Sequence, residues 1–294
     1  MCTPLDAFFR FIDVSEKTES LYRRALRRLF TYFTEHGILH PSRDDILSFR
    51  KHLECLGRKP STIALYLSAC RRFFTWTEHE GIYPNIAFGV KSPKQEPGHK
   101  RDCLCAEHLR KILAGIDRRT PIGRRNFAII ALMAVTGLRT IEISRANIED
   151  LRKVDRHLCL YVQGKGRSTK SEFVKIPAPV LSAIREYLRE RGQVPQSAPL
   201  FASMSHRNMN ARLSAQSISR VCKAAMLANG FSSNRLTAHS LRHTAITLSL
   251  MAGIPLSDVQ AFARHKSITT TMIYAHHVDR LNSMCEETIC DAIF

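Results

Sequence analysis

The segment AHSLRHTA, residues 238–245, sets His239, Arg242 and His243 three and four residues apart. On a helix, those offsets put all three side chains on one face, with Cβ atoms about 5–6 Å apart. Three groups that are or can become cationic repel one another in such a patch. It therefore calls for a negative partner, either a carboxylate of the chain or a ligand anion. Related residues recur in three other segments. TGLRTIEISR holds Arg139 three residues before Glu142, behind Gly137, which permits a tight turn. GKGRSTK offers Lys165 on a turn between apolar stretches, with Lys170 a rival cation, and ARHKSITTTMIYAHH places His265 nine residues before Tyr274.

Guanidinium groups match anionic oxygens through paired N–H donors, and Arg139 and Arg242 supply two. A free phenol ionises near pH 10, so the Tyr274 hydroxyl is a weak acid that needs help before it can react. Taken singly, each segment also has a plain reading: a surface Arg–Glu pair, a solvated hairpin lysine, a half-buried core tyrosine. His239 and His243 have the i, i+4 spacing of zinc ligands, with His265, His276 and His277 as further candidates. The residues between the pair are Ser-Leu-Arg, however, so H-E-x-x-H is absent, and Arg242 beside a dication is unfavourable.

These residues must be positioned by a chain of 294 residues, long enough for about two domains. Lys and Arg number 44 against 26 Asp and Glu, a net charge of +18, which attracts polyanions and is the usual footprint of a nucleic-acid binder. Both parts share it: up to residue 100 there are 16 basic and 11 acidic residues, and beyond it 28 and 15. Nine cysteines, odd in number and without a repeated CxxC, argue for reduced thiols in a cytoplasmic protein rather than a disulfide or zinc framework. The longest apolar run, residues 127–138, is too short to cross a bilayer and reads as a buried helix. No membrane partner is expected.

Residues 16–88 read as helical, with Leu21, Ala25, Leu29 and Phe33 along one stripe, Ser42 as an N-cap, and Pro60 opening a helix that stops at Gly81. The stretch KSPKQEPGHKRDC has a linker's composition. The second part opens with two helices. It continues with two strands, HLCLYVQ and KSEFVKIP, in which Leu158, Leu160 and Val162 alternate, then a helix from Pro179, and is helical from about residue 216.

An R-x-x-E after a Gly-Leu turn, a lysine on a hairpin, H-x-x-R-H, then a histidine followed by T-x-x-Y, in that order over residues 136–276, resembles the tyrosine recombinase family of phage integrases and Xer-type resolvases. RKPSTIALYLSACRRFFTWTEHEG is more loosely similar to that family's helical core-binding domain, so nearly the whole chain is covered. The resemblance implies a mainly α fold with a small antiparallel β-sheet, arranged as a two-domain DNA clamp. Residues 1–90 would form the core-binding domain, 91–105 the linker, and 106–294 the catalytic domain with a C-terminal tail that docks on a neighbouring protomer.

It also implies a site-specific DNA recombinase. Tyr274 attacks the scissile phosphodiester to give a 3′-phosphotyrosine, and strand exchange and religation pass through a Holliday junction without metal, ATP or other cofactor. Arg139 and Arg242 clamp the phosphate, His239 exchanges the phenol's proton, Lys165 protonates the leaving 5′ oxygen, and His265 donates to the phosphate. Glu142 and His243 support them. Lys59, Thr62, Arg71 and Arg72 are candidate DNA contacts. The expected partners are a duplex recombination site, three further copies of the chain in a tetrameric synapse, and accessory DNA-bending proteins. A type IB topoisomerase and a non-catalytic DNA-binding protein on the same fold are the alternatives. One residue departs from the family pattern: Arg264 stands before His265 where the family usually has glycine. It brings either strain, if the backbone there needs φ > 0, or an added cation beside the phosphate.

Overall fold

The computed structural model of the chain describes residues 4–94, 102–164, 167, 169–281 and 284–294. Contacts divide the chain into two compact units, Met1–Pro97 and Gly98–Phe294.

The first unit is helical: α1 (Pro4–Phe11), α2 (Glu16–Glu35), α3 (Arg43–Cys55) and α4 (Pro60–His79). Local signals set their ends. The Ser15 hydroxyl accepts the Thr18 N–H at 3.4 Å, Ser42 and Asp45 close a capping box, and Pro60 occupies the first turn of α4, where its missing N–H costs nothing. Gly57 and Gly81 follow α3 and α4 with φ of 65° and 66°. The buried face of α2 is wider than a four-residue stripe, holding Tyr22, Leu26 and Tyr32 beside Ala25, Leu29 and Phe33. Phe8 packs edge-on against Phe73, with ring centroids 5.3 Å apart, in a core that also buries Trp76. Arg71 is committed to the fold. Its guanidinium donates to the Val90 carbonyl at 2.7 Å and the Ser92 hydroxyl at 3.3 Å, whereas Lys59 and Arg72 are exposed.

The second unit opens with α5 (Ala106–Ala114) and α6 (Pro121–Thr136); α6 is the apolar run, buried from Ala128 to Ala134. α7 (Thr140–Arg145) leads through a short 3-10 turn into the antiparallel sheet β1 (Leu151–Val154), β2 (His157–Val162) and β3 (Glu172–Lys175), in spatial order β1-β2-β3. The sequence reading has two strands here. β1 adds a third, and its LRKV, exposed at its two central residues, carries no alternating apolar signal. The helices α8 (Ala178–Arg191), α9 (Ala215–Ala228), α10 (Ala238–Met251), α11 (Leu256–Ala263), α12 (Ile268–Leu281) and α13 (Cys285–Ile293) complete the unit. The main core joins α6 and α8 to the sheet. A smaller cluster of Ile246, Val259, Ala263 and Tyr274 ties α10, α11 and α12 together. Among the described residues, no helix is long and apolar enough to cross a membrane.

Candidate active site

Two tight turns and two helices bring their side chains into one largely buried cluster. α6 ends at Gly137, which takes the left-handed conformation, φ 61°, and donates its N–H to the Met133 carbonyl at 3.0 Å. A Cβ there would meet the Phe262 ring at 3.4 Å as well as the strained φ. The chain turns at once into α7, with Arg139 as its N-cap residue. The R-x-x-E spacing does two jobs: Glu142 Oε2 accepts the Arg139 backbone N–H at 2.7 Å, while Oε1 pairs with the Arg139 guanidinium at 3.0 Å. Glu142 is fully buried, while the Arg139 side chain keeps 28% of its surface open.

On α10, Arg242 and His243 are buried and His239 half-buried, so the helical face read from AHSLRHTA points inward. The Arg242 guanidinium donates to two backbone carbonyls, Gly137 at 2.6 Å and Ala263. Both carbonyls lie at helix C-termini, of α6 and α11, where the dipole favours a cation. Burial, and after it the charges of Arg139 and Arg264, push the Arg242 guanidinium down to about 9, which leaves it protonated at neutral pH. The two arginines that stand 103 positions apart in sequence therefore sit within electrostatic reach of each other.

The Arg264 question resolves on both counts. α11 ends in a Schellman-type turn, with the His265 N–H bonded to the Gln260 carbonyl at 3.1 Å and Arg264 at the left-handed position, φ 53° and ψ 45°. Its side chain also enters the cluster, donating to Glu142 Oε2 at 3.1 Å and to the Phe262 carbonyl at 3.0 Å. Sequence reasoning did not find this ion pair; a charged residue at a glycine position was the signal available.

His265 places Nδ1 2.9 Å from the buried Thr271 hydroxyl on α12. Burial first, then the charges of Arg242, Arg139, Arg264 and His239, pull its pKa down to about 4, so the ring is neutral at pH 7. If Nδ1 accepts the Thr271 hydroxyl, the proton sits on Nε2 and can be donated to an oxyanion. A stability effect follows. Between the ordinary value of 6.5 and about 4, the unfolded chain binds a proton that the folded chain refuses. His265 therefore contributes stability fully above pH 6.5 that is lost as pH falls towards 4. The thermal midpoint of the wild type should drop across this window more steeply than that of His265→Asn; parallel curves would contradict the assignment.

Tyr274, on α12, is buried, and its hydroxyl is hydrogen-bonded to His243 Nδ1. The sequence reading gives His239 the phenol's proton; the structure adds His243 as an imidazole bonded to the phenol. The His239 ring packs edge-on against His243 with centroids 4.7 Å apart, and the His265 ring stacks 6.1 Å from Tyr274. Lys165 lies outside the described residues. Its rival Lys170 is paired with the buried Asp150, which also accepts the Asn147 backbone N–H at 2.7 Å. Among the described residues no three His, Cys, Asp or Glu side chains gather as a metal site.

Arginines, a neutral imidazole and a buried phenol thus lie together in a mixed unit that follows a helical one. Residues 103–280 match the Phage integrase family, and residues 5–81 match the Phage integrase, N-terminal SAM-like domain. The chain belongs to the phage integrase family, and with it to the tyrosine recombinases, enzymes that cleave and rejoin DNA. It is 27% identical over 285 residues to tyrosine recombinase XerD of Listeria innocua serovar 6a, covering 92% of this chain and 93% of that one. It is 31% identical over 222 residues to tyrosine recombinase XerC of Haemophilus influenzae, covering 75% and 72%. Among solved structures, the XerH site-specific recombinase bound to palindromic difH substrate, a post-cleavage complex, superposes with a TM-score of 0.72 at 22% identity, over 87% of this chain and 75% of that one. A lambda integrase dimer bound to a COC′ core site gives 0.70 at 21%, over 91% and 95%. At these identities the two structures speak for the fold.

Proposed function

We propose that the chain is a site-specific DNA recombinase in which Tyr274 is the nucleophile and Arg139 and Arg242 receive the scissile phosphate. One observation supports this reading: three guanidinium groups (Arg139, Arg242 and Arg264), the neutral imidazole of His265 and the phenol of Tyr274 cluster together, and among the described residues Glu142 is the one carboxylate paired with them. In the reaction the Tyr274 hydroxyl oxygen attacks phosphorus, and its proton passes to His243 Nδ1, which accepts it in the tautomer that carries the ring proton on Nε2. The bond to the 5′ oxygen breaks, and Lys165 supplies the proton that the leaving oxygen takes. Negative charge gathered on the non-bridging oxygens meets Arg139, Arg242 and the His265 Nε2 proton. Attack by the 5′ hydroxyl of a partner strand on the phosphotyrosine reverses these steps and joins the new strands.

The basic first unit would hold the duplex through Lys59, Thr62 and Arg72, with Arg71 acting through the segment it anchors rather than on DNA. Four copies would assemble on two sites, passing through a Holliday junction, with accessory bending proteins where the site requires them. A cytoplasmic location goes with that substrate. The test uses nicked duplexes drawn from a randomised pool by affinity for the chain. Incubation should give a protein–DNA adduct that survives denaturation, with the nucleotide on the peptide containing Tyr274. Binding without any adduct would reduce the chain to a DNA-binding protein, and unselective relaxation of supercoils would make it a topoisomerase.

A further inference from the structure

Arg264 occupies its position against three costs. It takes a left-handed conformation that glycine would adopt without a Cβ penalty. Its guanidinium is withdrawn from water, with the side chain only 5% exposed. Its Nε is buried with no hydrogen-bond partner. What these costs accompany is the contact with Glu142, a carboxylate with no exposed surface that lies between two guanidinium groups.

The two partners of Glu142 are not equivalent. Arg264 meets it from the buried side, whereas Arg139 keeps 28% of its side chain open. A buried carboxylate must be neutralised by something, and if Arg139 were its only partner, the pair would present almost no net charge to a ligand. With Arg264 present, the three side chains carry a net positive charge, and Arg242 adds another.

We infer that Arg264 is a positioning residue for strand cleavage: by offsetting Glu142 from the buried side, it leaves the positive charge of Arg139, which stays paired with the other carboxylate oxygen, available to the scissile phosphate. This rests on the recombinase reading. Glycine at this position would hold the turn equally well but leave Arg139, already paired with Glu142 at 3.0 Å, as the one guanidinium offsetting that carboxylate. The substitution that relieves the backbone should therefore impair the chemistry.

The test compares wild type, Arg264→Gly, Glu142→Gln and the double variant in single-turnover adduct formation on the nicked duplexes described above, with duplex affinity measured alongside. Arg264→Gly should slow adduct formation roughly 10- to 100-fold, because the charge of Arg139 is then offset by Glu142 alone. Affinity should stay within about threefold, since it is spread over many phosphate contacts. In the Glu142→Gln background the same change should alter the rate by less than about threefold, because no charge remains to compete for Arg139. A merely structural role would not depend on the charge at position 142. Wild-type rates in Arg264→Gly would overturn the inference, as would an equal loss in both backgrounds, or a melting temperature that leaves Arg264→Gly largely unfolded in the assay. Each of these leaves the recombinase reading standing, whereas absence of adduct with wild type removes both.

Discussion

Tyr274→Phe should abolish adduct formation while leaving the fold and DNA affinity intact. The ring lies in the small cluster of Ile246, Val259 and Ala263, and phenylalanine fills the same space without a cavity. What is lost is one hydroxyl and its bond to His243 Nδ1, with an expected stability cost of about 1 kcal/mol. The chemical effect is far larger, because the variant lacks the hydroxyl that the proposed phosphotyrosine requires. Nearby hydroxyls such as Thr271 have a different task, since Thr271 is fully buried and bonded to His265. Denaturing electrophoresis of the trapped complex, with duplex binding and thermal melting as controls, checks this. An adduct that persists in the variant would place the nucleophile elsewhere and take the roles of Arg139 and Arg242 with it.

The distribution of legible and hidden features follows from what a residue code can carry. The α10 face was readable because i, i+3 and i+4 spacing fixes side-chain direction once a helix is granted. Arg139 and Glu142 were readable as a pair at one helix end, but the second role of Glu142, accepting the Arg139 backbone N–H, is a matter of cap geometry. The partners of Arg242 could not be read at all. They are backbone carbonyls of Gly137 and Ala263, and every residue has a carbonyl; only the fold decides which two face the guanidinium. The bond between His243 and the phenol depends on how α12 crosses α10, a tertiary quantity. β1 was missed because its central residues are Arg and Lys, and pairing with β2 rather than burial makes it a strand. The bonds of Arg71 to the Val90 carbonyl and the Ser92 hydroxyl are hidden for the same reason, since the sequence does not say which carbonyl a basic side chain on a helix will face.

Arg242→Lys should be nearly as damaging as loss of the nucleophile, although the charge is kept. The guanidinium has a planar fork, and here it spans the C-terminal carbonyls of α6 and α11 while its charge faces Arg139 and Arg264 across the cluster. A lysine ammonium is a point charge that cannot reach both carbonyls and a phosphate together. One buried acceptor would be left unsatisfied, at about 1–3 kcal/mol. An ammonium crowded by Arg139 and Arg264 in a desolvated site would also shed its proton more readily than the guanidinium it replaces. Stability should therefore fall by a few kcal/mol at most, a drop visible in the melting temperature. The cleavage rate should fall by roughly 10²–10³, as when a preorganised oxyanion donor is removed. Because the loss arises in the transition state, duplex affinity should change far less than the single-turnover rate, and raising the protein concentration should not restore it. A variant that cleaves within threefold of wild type would mean that Arg242 only braces two helix ends, leaving Arg139 to bind the phosphate alone.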